Sequence, residues 1–496
     1  MSKRHSTGIA AASFLLLTGA AATCAPAASA SPAGTAEKED RESDFDGDGY
    51  TDVLTGAPGG TVSGEKRAGY VTVQYGGAKD VGTATGTFTG RVAVFSQSTS
   101  GVPGTAEAGD AFGSSVASGD LNGDGYDDAI IGAPGEDVSS MLNVGRITVL
   151  YGSANGLRST GSVSVGAAEQ HANARFGSAL SAARFFGATQ GDVVAVADVE
   201  GADLLRHDAG RLKAAGRIDT MQEADGEPIK PSSLTTGDYD ADGYSDLVIS
   251  GRSQAEDGTG RSAVYAGGVG GLTYARDLGG GPATASGDIN NDGYDDFVYG
   301  HPDSPGDLGE PLTGGVVGVY FGSDEGVRGV DDLGTVAQVW SQYAAGVPGT
   351  AELGDGFGSA VSLGDTDGDG YADLAIGAPG EDVGTIADAG AVWVLRGSST
   401  GLTADHATSF SQNSTAVPGT AERGDGWGRR LRLADTNDDG RSELLAAAPG
   451  ENTSDGAVWL LPAGSAGVTA TGSWAYAGHS LGAQPADARF GAAMDQ

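Results

Sequence analysis

The chain has 496 residues, of which 87 are glycine and only 17 are proline, and 39% are hydrophobic. That supplies apolar material for a core, and a glycine excess without a three-residue period points to tight turns rather than long helices or a collagen rod. Asp and Glu total 66 against 28 Lys and Arg, a formal charge of −38, which argues against nucleic acid or anionic lipid as a partner.

The N-terminus reads as an export signal. Lys3 and Arg4 precede a small, apolar stretch from Gly8 to Ala22, and Ala28-Ser29-Ala30 is a small-x-small cleavage site. Residues 1–30 are assigned to the signal peptide and 31–43 to a flexible acidic segment, so the expected location is extracellular. Cys24, the only cysteine, falls in the removed stretch, and Ala21 and Thr23 suit lipid attachment of it poorly. The mature chain would then lack disulfides, leaving a metal as the staple in an oxidising exterior. No later stretch is apolar enough to span a membrane.

From residue 44 onward one loop recurs. Asp44, Asp46, Asp48 and Asp52 stand at positions 1, 3, 5 and 9 around Gly49 at position 6. The pattern returns as Asp120, Asn122, Asp124 and Asp128; as Asp238, Asp240, Asp242 and Asp246; and as Asp288, Asn290, Asp292 and Asp296. It returns again as Asp365, Asp367, Asp369 and Asp373, and more loosely as Asp435, Asn437, Asp439 and Glu443. Crowded carboxylates around a sharp glycine turn suit a hard divalent cation, and calcium accepts six to eight such oxygens. An EF-hand would need a glutamate at position 12 and flanking helices. Position 12 is instead Thr55, Ile131, Ile249, Tyr299 and Ile376 in the first five loops, inside strand-like runs.

The repeat is larger than the loop. Short apolar runs follow it and end in Gly-Ala-Pro, as in Ala129 to Pro134 and Leu374 to Pro379. A second run comes next, as in Gly390 to Leu395, and Phe-Gly with a small-residue run comes before, as in Phe112 to Ala117. These segments are β-branched or aromatic and bounded by glycine, so they read as strands. The loops start 76, 118, 50, 77 and 70 residues apart. Within the long step, Arg175 to Leu180 opens a further unit whose ligands are missing. Seven units, six with a loop, predict an all-β, seven-bladed β-propeller over residues 44–496. The first unit lacks its Phe-Gly strand, and Arg489 to Met494 supplies one at the end of the chain. Pairing of that tail with the first blade would close the ring, the other reading being a truncated eighth unit.

Phe-Gly, the Asp-rich loop and Gly-Ala-Pro together resemble the FG-GAP repeat family, which includes the propeller at the head of integrin α-subunits and secreted bacterial proteins. The resemblance covers nearly all of the expected mature chain. It implies calcium at the loops, with position-7 backbone carbonyls from Tyr50, Tyr126, Tyr244, Tyr294 and Tyr371. The third unit departs by having no ligands, and the fourth and fifth lack Phe-Gly. The seventh departs by having Arg441 at position 7 and Glu443 at position 9. Five calcium sites are expected, with a sixth in that seventh unit set apart.

A second signature decorates three units. Ser96-Gln97 introduces Gly101-Val102-Pro103-Gly104-Thr105-Ala106-Glu107-Ala108-Gly109-Asp110, and the same pattern recurs at Ser341 to Asp355 and Ser411 to Asp425. Such connectors either bind ligands or serve as rigid links whose acids satisfy backbone donors. Arg423-Gly424-Asp425 falls at a variable position of this signature and reads as coincidence. Catalytic signals are few. The six histidines are scattered, and Gly397-Ser398-Ser399-Thr400-Gly401 has no helix to follow, as a nucleophile elbow requires. The expected function is a non-catalytic, calcium-stabilised adhesion module, monomeric, for an extracellular protein or glycan. The alternative is a calcium-dependent polysaccharide lyase or esterase-like hydrolase on a propeller.

Overall fold

A computed structural model describes residues 43–78, 91–187, 189–221, 228–254, 259–303, 314–330 and 334–495. The expected signal peptide, Cys24 and the acidic segment up to residue 42 lie outside these residues. Ser43 is described and is fully buried.

Seven four-stranded antiparallel sheets form the blades. Blade 1 holds β1 (Val53–Ala57), β2 (Tyr70–Gln74) and β3 (Val92–Phe95). Blade 2 holds β4 (Ser115–Gly119), β5 (Asp128–Ala133), β6 (Arg146–Tyr151) and β7 (Arg158–Val165). Blade 3 holds β8 (Leu180–Ala183), β9 (Val193–Ala197), β10 (Gly201–Asp208) and β11 (Arg211–Asp219). Blade 4 holds β12 (Ile229–Gly237), β13 (Asp246–Ser253), β14 (Gly260–Ala266) and β15 (Thr273–Gly279). Blade 5 holds β16 (Ala283–Gly287), β17 (Asp296–His301), β18 (Val316–Tyr320) and β19 (Gln338–Trp340). Blade 6 holds β20 (Ala360–Gly364), β21 (Asp373–Ala378), β22 (Ala391–Arg396) and β23 (Thr403–Phe410). Blade 7 holds β24 (Arg430–Ala434), β25 (Glu443–Ala448), β26 (Ala457–Leu461) and β27 (Trp474–Tyr476). The innermost strand of blade 1, its first from the axis, is β28 (Ala493–Met494), near the end of the chain.

The first strand of each blade touches the first strand of the next, so these strands line the axis. Their sequences are small, SVASG in β4 and ATASG in β16, as convergence towards an axis demands. The second and third strands are apolar on both faces because a blade is covered on both sides, and β21 and β22 are buried throughout. The fourth strands, such as β11, alternate or expose most residues at the rim. The hydrophobic clusters join neighbouring blades rather than filling a single centre. One runs from Val392 and Val394 of blade 6 to Leu444 and Trp459 of blade 7. Another runs from Leu445 and Val458 of blade 7 to Val53 and Tyr70 of blade 1, with Phe490 between them.

The Phe-Gly and Gly-Ala-Pro elements are the seam between blades. Phe112, Phe176, Phe357, Phe490 and Trp427 have no exposed surface. Trp427, standing where other units have Phe, packs edge-on to Trp459 at 6.3 Å. The glycine of Gly-Ala-Pro meets the Phe-Gly turn of the next blade backbone to backbone. A Cβ on Gly377 would stand 1.9 Å from the Gly428 carbonyl oxygen, and one on Gly132 would stand 2.2 Å from that of Gly177. Because the obstacle is backbone, Gly377→Ala is expected to destabilise by about 2 kcal/mol or more, the upper range of overpacking. Thermal melts of this variant beside Gly49→Ala, which meets nothing within 4 Å but has φ +90°, separate crowding from backbone strain.

Closure occurs as the tail pattern leads one to expect. Thr55 pairs with Met494 and Gly56 with Ala493, both antiparallel. Asp495 reinforces this join, its carboxylate accepting from Leu54 N at 3.1 Å and from Arg432 Nη1 at 2.7 Å. Arg432 also donates to the Asp52 carbonyl at 2.8 Å and to Ser43 Oγ at 3.1 Å. Arg432 and Asp495 are 2% and 0% exposed, so one buried ion pair ties blade 7, the tail and the start of blade 1 together.

Candidate metal centres on one face of the propeller

In blades 2, 4, 5, 6 and 7 the acidic loop joins the first strand to the second, and in blade 1 it leads into β1, which pairs with the innermost β28, so all six lie on one face of the ring. Local hydrogen bonds shape them. The Asp44 carboxylate accepts from Gly47 N at 2.7 Å and Gly49 N at 2.9 Å, and Asp48 accepts from Tyr50 N at 3.1 Å. Blade 2 repeats this with Asp120 accepting from Gly123 N at 2.8 Å and Gly125 N at 2.8 Å. Asp238, Asp288, Asp365 and Asp435 accept from Gly243, Gly293, Gly370 and Gly440 at 3.0, 2.9, 2.8 and 2.8 Å. The position-1 side chain thus folds the backbone around itself, and the glycine at position 6 supplies the positive φ, +90° at Gly49.

Position 9 anchors the loop to the blade. Asp52 accepts from Phe45 N at 2.9 Å and from Gly76 N at 2.8 Å, beyond the third-strand end of the sheet. Asp128, Asp246, Asp296 and Asp373 make the matching bond with Gly152, Gly267, Gly322 and Gly397 at 2.9, 2.8, 2.9 and 2.9 Å. Burial pushes Asp52 up to about 9, Asp128 and Asp296 up to about 8, and Asp246 up to about 7. Asp46 is raised by burial and then by the neighbouring charges of Asp48 and Asp44.

Among the described residues the carboxylates converge in three groups whose oxygens lie within 4.8 Å: Asp44, Asp46 and Asp48; Asp238, Asp240 and Asp242; and Asp365, Asp367 and Asp373. Blades 2, 5 and 7 have Asn122, Asn290 and Asn437 at position 3 and therefore present fewer acids. In blade 7, Glu443 is 1% exposed and accepts from Thr436 N at 3.1 Å and Asn437 Nδ2 at 3.2 Å. The longer side chain reaches the same anchor. All-oxygen sets of converging, half-buried carboxylates fit a hard divalent cation.

Two features of the site are silent in the sequence pattern. The first is a set of four backbone bonds from loop to loop. Asp127 N, at position 8 in blade 2, donates to the Asp44 carbonyl in blade 1 at 3.1 Å. Asp295 N meets Asp238 O, Ala372 N meets Asp288 O, and Ser442 N meets Asp365 O, at 3.1, 3.1 and 2.7 Å. The second is Arg396, whose Nη1 lies 2.6 Å from Asp373 and 3.4 Å from Asp367. It puts a guanidinium inside the sixth-blade loop, at the place held by Tyr75 and Tyr151 in blades 1 and 2. In blade 7, Arg441 lies 3.6 Å from Asp439 and donates through Nε to the Asp367 carbonyl at 3.3 Å.

Other side chains that could suggest a site resolve as structural parts. Trp393 and Trp459 are core residues whose indole N–H groups hold the Pro348 and Pro418 carbonyls at 2.7 and 2.9 Å. Ser398 Oγ donates to the Gly401 carbonyl at 2.7 Å inside the turn between β22 and β23. Asp425 is 2% exposed and accepts from Glu422 N, so the Arg-Gly-Asp tripeptide does not present its carboxylate. No helix of the described residues is long and apolar enough to cross a membrane.

Comparison with known proteins finds the FG-GAP repeat at residues 43–73, 112–150, 357–395 and 427–461, on blades 1, 2, 6 and 7. The unmatched blades 3, 4 and 5 are those that lack ligands or Phe-Gly. The chain is similar to the phosphatidylinositol-glycan-specific phospholipase D of Bos taurus, 34% identical over 170 residues. That match covers 34% of this chain and 18% of the relative, so the chain spans about a fifth of the relative's length. Among solved structures it is similar to the exotype rhamnogalacturonan lyase YesX at 12% identity and a TM-score of 0.30, covering 72% of this chain and 67% of that one. With the repeats, the seams they form and the sealed ring in place, the chain is an FG-GAP repeat protein folded as a seven-bladed β-propeller.

Proposed function

We propose that this protein is a secreted, calcium-stabilised binding module that meets an extracellular protein or glycan and carries out no chemistry of its own. The observation that carries this reading is the set of acidic loops on one face, anchored to their blades through position 9 and, in blades 2, 5, 6 and 7, to the preceding loop through position 8. Carboxylates so committed hold a cation and make poor general acids. Calcium suits the sets better than magnesium because they offer many oxygens in adaptable loops. In blades 1, 2, 4, 5 and 6 the cation would be held by the residues at positions 1, 3, 5 and 9 and the position-7 carbonyl. The Arg396 guanidinium makes the sixth-blade loop the weakest of these five.

The raised carboxylates give a pH signature. In excess chelator they favour the protonated folded state, so their contribution is complete below about pH 4 and is lost as pH rises through about 7 to 9. The chelated protein should therefore melt at falling temperature across that range, while the shift produced by calcium widens, since binding requires ionised ligands. A chelated melt independent of pH, or one that rises with it, contradicts this.

Binding is tested on arrays of matrix proteins and glycans, with calcium and with chelator. Retention that vanishes in chelator supports the module. A second reading, a calcium-dependent extracellular enzyme, draws on the similarity to a relative named as a phospholipase. Calcium-dependent turnover of polysaccharide, ester or phosphodiester reporters would establish it in place of the first.

A further inference from the structure

The signature that precedes blades 2, 6 and 7 builds a second kind of cluster, on the face opposite the loops. At the junction of blades 5 and 6, Gln342 follows β19, Asp355 ends the connector, and Glu381 stands in the turn between β21 and β22. Gln342 Nε2 donates to Glu381 at 2.8 Å, and Asp355 accepts from Glu352 N at 2.6 Å. The carboxyl groups of Asp355 and Glu381 lie within hydrogen-bonding reach of each other. The junction of blades 6 and 7 repeats this with Gln412, Asp425 and Glu451, the amide reaching Glu451 at 2.7 Å. At the junction of blades 1 and 2, Gln97 reaches Glu136 at 2.7 Å beside Asp110.

The glutamines supply an independent observation. Gln97, Gln342 and Gln412 are 7%, 5% and 1% exposed, and in all three the amide oxygen has no hydrogen-bond partner. The bond from Nε2 to the glutamate fixes the amide, so the oxygen cannot be exchanged for nitrogen without setting two acceptors against each other. Gln342 Oε1 and the Glu352 carbonyl oxygen crowd the same side of Gly314, 3.3 and 2.9 Å from where its Cβ would be. A buried carbonyl-type oxygen left unpaired is costly, and the same arrangement recurs three times. Beside it, burial pushes Glu381, Glu451 and Asp110 up to about 7. Each cluster thus joins two acids short of counter-charge to an amide oxygen short of a partner.

We propose that each of these three blade junctions binds a hard divalent cation, calcium in the extracellular medium, through the glutamine oxygen and the paired aspartate and glutamate. Two carboxylates neutralise its charge, and the amide oxygen is a ligand of the type calcium accepts. The cation clamps the outer strand of one blade to a turn of the next, on the face that the acidic loops do not reach. The inference is independent of what the protein binds.

Native mass spectrometry of calcium-equilibrated protein counts the ions. The variant Glu136→Gln/Glu381→Gln/Glu451→Gln is expected to carry three fewer than wild type, and Gln342→Leu, which leaves every charge in place, one fewer. Asp242→Ala removes a loop ligand and serves as the control. If it loses an ion while the triple variant keeps the wild-type number, the junction sites do not exist and the paired acids share a proton. If the triple variant fails to fold, Gln342→Leu decides alone: one ion lost supports the site, and an unchanged count overturns it.

Discussion

Removing calcium is expected to lower the melting temperature by more than about 10 °C. A site held at a hundred times its dissociation constant adds about 2.7 kcal/mol, so five filled loops add roughly 13 kcal/mol. Unfolding entropy near 2.1 cal/mol/K per residue makes about 1 kcal/mol worth roughly one degree in a domain of this length. The effect is large because the loops crowd acids together: Asp44, Asp46 and Asp48 converge with one guanidinium, that of Arg91, 2.5 Å from Asp46, and Asp52 is buried in the same loop. The loops also link blades 1 to 2 and 4 through 7 on their face, through the position-8 bonds. Calorimetry with calcium and with excess chelator measures the shift, and restored calcium should recover it. Coincident melts would mean that the acidic loops stand without a metal.

Breaking the closure is expected to have the second-largest effect. Deleting residues 489–496 removes Phe490, β28 and Asp495, leaves Arg432 buried without its partner, and strips β1 of one neighbour. The bare edge of a fully buried strand then becomes a template for other chains, and soluble monomer should give way to aggregate. The clamp alone is tested more finely. Asp495→Leu should cost about 3–5 kcal/mol because it leaves a guanidinium charge buried and uncompensated, whereas Arg432→Met/Asp495→Leu should cost less than the single change. Size-exclusion chromatography reads the first effect and denaturant melts the second. A double variant less stable than Asp495→Leu would show that Arg432 acts mainly through Ser43 and the Asp52 carbonyl.

The repeats made the fold legible. Phe-Gly, the acidic loop and Gly-Ala-Pro are local strings, and their spacing, with the orphan strand at Arg489 to Met494, was enough to count blades and close the ring. What stayed hidden depends on contacts between blades. Position 8 is Asp127, Asp295, Ala372 and Ser442 in the loops of blades 2, 5, 6 and 7, and the bond it makes is a backbone bond that no side chain announces. Arg396 stands where blades 1 and 2 place tyrosine before the same glycine. Only the fold shows that this position faces the loop's own carboxylates. Arg432 and Asp495 are 63 residues apart and meet through closure. Blades 4 and 5 lack the Phe-Gly seam, and an aromatic cluster takes its place. Phe297 stacks on Tyr320 at 6.3 Å, and Tyr239 meets Phe297 edge-on at 6.5 Å. Scattered through two strands and a loop, those rings form no motif.

The most direct test of the central claim is a crystal structure from crystals grown in calcium, with anomalous scattering recorded to locate it. The account predicts an anomalous peak about 2.3–2.6 Å from the carboxylates of Asp44, Asp46 and Asp48, with equivalent peaks in blades 2, 4 and 5. Ordered loops holding only water under those conditions would contradict it.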